Sequence, residues 1–368
     1  MNETTSLSAQ LDRLAEFEPT TAPFVSLYLN AQPNDVGRDQ FGAFVKKELP
    51  ARAATYAAGS EARASLDRDI QRIEAFIASD VKPSANGIAI FACAGADDFF
   101  EALQLEAPIA EHVLYIADRP QLYPLAQIDS RYPRCAAVVC DTNRARIFVL
   151  ALARIERQHE IQGTKTRGHD MGGWSQARYQ RHLENFHVQH AKEVADALAR
   201  IVADEAIPHV ILFGDAVILP MLREQLSSQV LERVIDASSL PTAAPDHEVL
   251  RKSLESLERH NEESDKAKVE AMIGAYRSGG LGVAGLKETQ MALEIGQVDE
   301  LLLSASFNGG SEEKVNELVA KARQTSARVT IIEEAALLEP VGGVGALLRY
   351  KVPGIQRTQK KQAVGANP

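Results

Sequence analysis

The residues best equipped for chemistry lie together in the run "GTKTRGHDMGGWSQARYQRH", residues 163–182. Gly172 and Gly173 bring a backbone without side chains, which lets a chain approach another surface closely. Lys165 and Arg167 precede them and Arg178 and Arg181 follow, against the single acid Asp170. Guanidinium groups match phosphate oxygens two at a time. A glycine-led tip backed by arginines therefore suits contact with phosphates in a narrow space. The simpler alternative is a turn that opens a helix, with Ser175 as its cap and a solvated arginine face.

The elements around the tip must hold it. Tyr179, Leu183, Phe186, His190, Val194, Leu198 and Ile201 recur at three- and four-residue steps, so a long helix with one buried stripe is expected to about Ile201. A 100° step per residue then puts Arg181 nearly opposite the stripe, Arg178 and Asn185 on the outer side, and His182 at the flank. Upstream, "RCAAVVCDTNRARIFVLALARIERQHEI" contains two apolar strands around a polar turn at Asp141-Thr142-Asn143, a hairpin signal. Downstream, "HVILFGD" (209–215) reads as a strand followed by an amphipathic helix. Hairpin, helix, strand and helix point to a mixed sheet with helices packed on it.

The rest of the chain divides around this middle part. A length of 368 residues exceeds one ordinary core. Up to about residue 130, "FVSLYLN" (24–30) alternates like a half-buried strand, helices are expected over 37–58 and 61–79, and strands over 86–95 and 111–118. "RPQLYPLAQIDSRYP", with three prolines, reads as a connector. Residues 246–280 form one long charged helical stretch able to bridge domains, followed by helix 283–296, strand 298–304, helix 311–325, strand 327–333 and "GGVGALLRYKV" (342–352). The expected division is 1–130, 131–245 with the loop at 164–182, 246–352, and a frayed tail at 353–368.

Composition narrows the function. A formal charge of −10 argues against a protein that coats nucleic acid without specificity, since phosphate binding needs positive charge, and leaves room for one basic tip. Cys93, Cys135 and Cys140 sit in apolar runs and read as reduced core residues without metal spacing. The start "MNETTSLSAQ" lacks the pattern of a signal peptide, and no apolar run is long enough for a bilayer. A cytoplasmic protein without a membrane partner is expected.

Aligned on its glycines, "GGWSQARYQRH" resembles the Gly-Gly-Gln loop of archaeal- and eukaryotic-type class I peptide release factors, in which Gly-Gly-Gln-Ser precedes an Arg-aromatic-x-Arg pattern. Ser175, Arg178, Tyr179 and Arg181 fall on matching positions. "GVAGLKETQMALEIGQVDELLLS" and "GGVGALLRY" are similar to the third domain of that family, and 135–150 to its middle domain; before residue 131 only "FVSLYLN" matches. The resemblance is to the bacterial branch, akin to the peptidyl-tRNA-cleaving factors of ribosome quality control. It implies a mixed α/β protein of three domains: an α/β N-terminal domain, a ribonuclease-H-like middle domain, and a C-terminal α/β sandwich like that of kink-turn-binding ribosomal proteins.

It also implies a working site. The partners would be the ribosomal A site with its rRNA, peptidyl-tRNA and a translational GTPase, with no DNA, no cofactor and no metal. Gly172 and Gly173 would shape the tip and Gln176 would orient the hydrolytic water. Lys165, Arg167, Trp174, Ser175, Arg178 and Arg181 would contact RNA. His182 would transfer protons if cleavage falls at a phosphodiester near the tRNA 3′ end rather than at the ester. Two departures matter: Trp174 occupies the family's glutamine position, and no Asn-Ile-Lys-Ser codon-reading stretch is present. Ribosome rescue by peptidyl-tRNA hydrolysis without codon reading is the first expectation. A non-catalytic hibernation or occupancy factor, with Trp174 stacked on RNA, is the alternative.

Other motifs carry less. Asp141 and Asp215, each at a strand end, are either turn residues or remnants of a two-metal nuclease site. "FNGGSEEK" (307–314) lacks the lysine of a phosphate-binding loop. His182, His187 and His190 share a helix without the spacing of a zinc hydrolase, and all three read as packing and surface residues.

Overall fold

The computed structural model describes residues 6–33, 41–162 and 176–351, with the backbone alone for 176–184. The described chain is mixed α/β and holds three sheets. The first unit comprises α1 (Leu7–Ala15), β1 (Phe24–Asn30), α2 (Phe41–Ala53), α3 (Glu61–Ser79), β2 (Gly87–Cys93), β3 (Phe99–Leu105), β4 (Val113–Ala117) and α4 (Tyr123–Arg131). Its strands run antiparallel in the order β3-β2-β1-β4.

β1 is buried on both faces rather than half-buried. Val25, Leu27 and Leu29 join the core under α2 and α3, while Phe24 and Tyr28 join the one under α1 and α4. Even Ser26 is inside, where its hydroxyl accepts the Gln121 N–H at 3.0 Å. The proline-rich connector is the helix α4. Its Pro124 stands in the first turn, where a missing N–H costs nothing, and Leu125, Ala126 and Ile128 are buried.

The second unit holds β5 (Cys135–Cys140), β6 (Arg144–Ala151), β7 (Arg154–Gln162), α5 (Gln176–Asp204), β8 (His209–Gly214), α6 (Ile218–Gln225), α7 (Ser228–Leu231) and β9 (Val234–Ser238). The order is β7-β6-β5-β8-β9; β5, β6 and β7 form an antiparallel meander, and β5, β8 and β9 are parallel. This is the mixed sheet expected, with β7 and β9 added as its edges. Val194 and Leu198 of α5 pack with Val138, Ile147 and Leu212 on one face.

α8 (Asp246–Arg277) belongs to two cores. Val249 and Leu257 cover the other face of the second sheet, and Val269 and Met272 pack in the third unit. That unit continues with β10 (Gly282–Ala284), α9 (Leu286–Glu294), β11 (Val298–Ser304), α10 (Glu312–Gln324), β12 (Arg328–Ile332) and β13 (Val344–Leu348), in the sheet order β10-β13-β11-β12. The helix expected over 283–296 is shorter because β10 and Gly285, at φ +86°, precede it. Gly282 is needed where β10 meets α8: a Cβ there would lie 2.6 Å from the Met272 carbonyl oxygen.

The first and third units share one core. Leu11, Leu14, Leu125 and Ile128 cluster with Leu318, Val319, Val329 and Ile331. Polar contacts seal the seam. Arg323 binds Asp129 at 2.6 Å and Asp12 at 3.6 Å, and Gln324 donates to the Ala15 carbonyl at 2.7 Å.

Candidate functional site

The segment expected to work is framed by β7 and α5. β7 pairs with β6 along its length, from Ala151↔Arg154 to Arg144↔Gln162. α5 is pinned by Ala191, Val194, Ala195 and Leu198, each at most 3% exposed. Lys165, Arg167, Gly172, Gly173, Trp174 and Ser175 lie outside the described residues. Gln176 is the first residue of α5, and Arg178, Arg181 and His182 follow in its first two turns; their side chains also lie outside the described residues. The first turn of α5 contains no acid. Its leading backbone N–H groups lack helical partners and carry partial positive charge. An anion in front of this helix therefore meets no carboxylate from the first turn.

Asp141 and Asp215 stand at the carboxyl ends of the neighbouring parallel strands β5 and β8, where Cys140 pairs with Gly214. Both behave as turn residues. One Asp141 oxygen accepts the N–H groups of Asn143 and Arg144 at 2.7 and 2.9 Å, and the other accepts the Thr242 hydroxyl at 2.5 Å. Burial alone would raise the Asp141 pKa, but these donors bring it below the usual carboxylate value. Asp215 accepts the Val217 and Ile218 N–H groups at 2.8 and 2.9 Å. The Cys140 thiol between them is pushed up to about 12 by burial, then by the two carboxylates. Among the described residues no three metal-type side chains come close enough to hold an ion. His190 is 3% exposed, and neither ring nitrogen has a hydrogen-bond partner among the described residues. His187 is half-buried.

The sequence did not reveal a cavity of about 920 Å³ where the three units meet, lined among others by His209, His260, Asp265, Lys268, Glu300 and Arg323. Its cations are engaged: Lys268 with Glu300 at 2.8 Å, Arg328 with Asp299 at 2.9 Å, Lys266 with Glu334 at 3.6 Å and Arg131 with Glu258 at 3.7 Å, besides Arg323. Burial works to raise the Glu300 carboxyl, but Lys268, the Thr330 hydroxyl and Arg328 together outweigh it and hold the pKa below the usual value. His209 and His260 meet edge to face with ring centroids 5.1 Å apart. Seven carboxylates against five lysines and arginines line the cavity, so a phosphate entering it meets an excess of negative charge.

Residues 120–258 match the family model of "Bacterial archaeo-eukaryotic release factor family 10", and residues 263–352 match "eRF1 domain 3". The two matches together support a bacterial archaeo-eukaryotic release factor-like family. The chain is 25% identical to the protein pelota homolog of Thermococcus kodakarensis, over 60% of its own length and 66% of the relative's. It is 26% identical to peptide chain release factor subunit 1 of Aeropyrum pernix, over 58% and 60% of the two chains. The chain thus spans less than two thirds of the length of these curated relatives. Among solved structures it is similar to ribosome-bound archaeal Pelota, at 16% identity, 95% coverage of both chains and a TM-score of 0.44. It is also similar to the archaeal translation termination factor aRF1, at 18% identity over 94% of this chain and 97% of that one, with a TM-score of 0.27. Superpositions this loose carry no weight beside the sheets and the family matches.

Proposed function

We propose that this chain is a ribosome-binding translation factor that enters the A site and rescues stalled ribosomes by hydrolysing peptidyl-tRNA, without reading a stop codon. The observation that carries the reading is the coincidence of two family matches, across 120–258 and 263–352, with the glycine–arginine segment that follows β7 in sequence and runs into α5. The named relatives, pelota homologs and a peptide chain release factor subunit, support it. Its place is the cytoplasm, with the ribosome, peptidyl-tRNA and a translational GTPase as partners.

In this mechanism the glycine tip at Gly172 and Gly173 passes between RNA walls without steric obstruction. Lys165, Arg167, Arg178 and Arg181 hold phosphates, and Ser175 and Trp174 contact RNA beside them. Gln176 orients a water whose oxygen attacks the ester carbonyl carbon; a backbone N–H stabilises the oxyanion. The ester C–O bond breaks, leaving a free peptide carboxylate and the tRNA hydroxyl.

A second reading is favoured by Trp174, the chain's single tryptophan, at the family's glutamine position. On that reading the indole stacks on a base, and the factor occupies idle ribosomes without turnover. Incubation with ribosomes carrying labelled peptidyl-tRNA separates the outcomes. Free peptide with intact tRNA supports ester hydrolysis. A shortened tRNA moves the chemistry to a phosphodiester with His182 as proton carrier. Binding without product supports occupancy.

A further inference from the structure

We propose that the Leu152-Ala153 turn is a latch that docks the second unit onto the joined first and third units, together with the Arg154–Glu106 ion pair. The turn joins β6 to β7 with two residues, beyond the last ladder pair Ala151↔Arg154, with Leu150↔Ile155 next behind it. Both residues have left-handed backbone, at φ +51° and +63°. A two-residue hairpin with positive φ at both positions prefers Asn-Gly, because a Cβ in that region is crowded. Leucine and alanine are poor choices for closing the hairpin, so their advantage has to lie elsewhere.

That advantage lies outside the hairpin. Both side chains pack against the cluster shared by the first and third units, which includes Leu105, Ala107 and Ile109. The next residue, Arg154, reaches Glu106 at 3.0 Å, just beyond the end of β3. Glu106 is itself fixed, since the Asn86 side-chain amide donates to its carbonyl at 2.8 Å. An apolar plug followed by a cross-unit ion pair makes a docking element, and the backbone strain is tolerated for its sake.

The position gives the latch leverage. β7 has nine residues and runs directly from the turn to Gln162, a span of roughly 30 Å at the usual strand rise. A small rotation at Leu152 is therefore magnified at the far end. The latch sets the orientation of the whole second unit, β7 and α5 together, relative to the joined first and third units. Beyond it, the second unit is tied by the short chain from α4 to β5 and by α8, whose Asn261 amide donates to the Arg131 carbonyl at 3.3 Å.

The test is a distance measurement by double electron–electron resonance. Spin labels go on cysteines introduced at Glu74, exposed on α3, and Gln158, exposed on β7; the native cysteines are buried. The parent should give one narrow distance. Leu152→Asn relaxes the turn but removes the plug, and Arg154→Glu reverses the ion pair. Each should raise the undocked population about five- to thirtyfold, the effect of losing one modest contact. Adding Glu106→Arg to Arg154→Glu should restore the narrow distance. Far-UV circular dichroism monitors folding, and if Leu152→Asn fails to fold, the charge swap decides alone. An unchanged distance in folded Arg154→Glu, or a broad one in the parent, overturns the latch. No ribosome takes part, so failure here leaves the rescue reading intact, and loss of ribosome binding leaves the latch intact.

Discussion

Asn316 of α10 grips the backbone at Leu122: the Leu122 N–H donates to its side-chain oxygen at 2.5 Å, and its amide nitrogen donates to the Pro120 carbonyl at 2.9 Å. The residue is 2% exposed, so these bonds are shielded from water. They fix the start of α4 to the third unit, although 194 positions separate Leu122 from Asn316.

Asn316→Ala should therefore weaken the seam. It strands a buried N–H and a buried carbonyl, at about 1–3 kcal/mol each. Urea unfolding should show a loss on that scale. A loss below about 0.5 kcal/mol, the size of a neutral surface change, would show that water replaces the amide without cost.

This seam was beyond the reach of the sequence, because a helix pattern does not name its partner. β2 was legible since "GIAIFAC" is apolar throughout, and α8 since its charges recur over many turns. β3 ("FFEALQL"), β7 ("RIERQHEIQ") and β9 ("VIDAS") were missed: edge strands keep polar residues and give a weak alternation. α4 was hidden by its prolines, one of which is at a permitted helix start. At the candidate site the spacing of Gly172, Gly173, Arg178 and Arg181 was legible, and so were the turn roles of Asp141 and Asp215. The Leu152-Ala153 turn was not, because nothing in "ALAR" announces positive φ.

Acid should loosen the junction through His209. Its pKa is lowered to about 4, chiefly by burial, then by His260 and Lys268. His260 is also lowered, by burial first and then Lys268, with Glu263 opposing. The fold binds these protons less readily than the unfolded chain, so stability is complete above about pH 6.5 and falls as pH drops towards 4. Asp265 and Asp69, each raised to about 6 mainly by burial, act in the opposite sense. The contribution is thus read by difference. Wild type should lose on the order of 3 kcal/mol more than His209→Gln between pH 6.5 and 4. Parallel stability curves would contradict it.

If Gln176 orients the water, Gln176→Ala should slow peptide release about a hundredfold, in the range of a lost catalytic contact. Ribosome binding should stay within about twofold of wild type, since uniform binding and turnover separate in this way. Equal release by the two proteins removes Gln176 from the chemistry. Trp174→Ala tests the occupancy reading, which expects its loss to weaken binding.

The most direct measurement is co-sedimentation with ribosomes carrying labelled peptidyl-tRNA, comparing wild type with Arg178→Ala/Arg181→Ala at two salt concentrations. Wild type should pellet with the ribosome and weaken as salt rises. The double variant should bind about tenfold or more weakly and with a shallower salt dependence, having lost phosphate contacts. A wild-type chain that stays in the supernatant, or a double variant that binds like wild type, would contradict the role assigned to this segment.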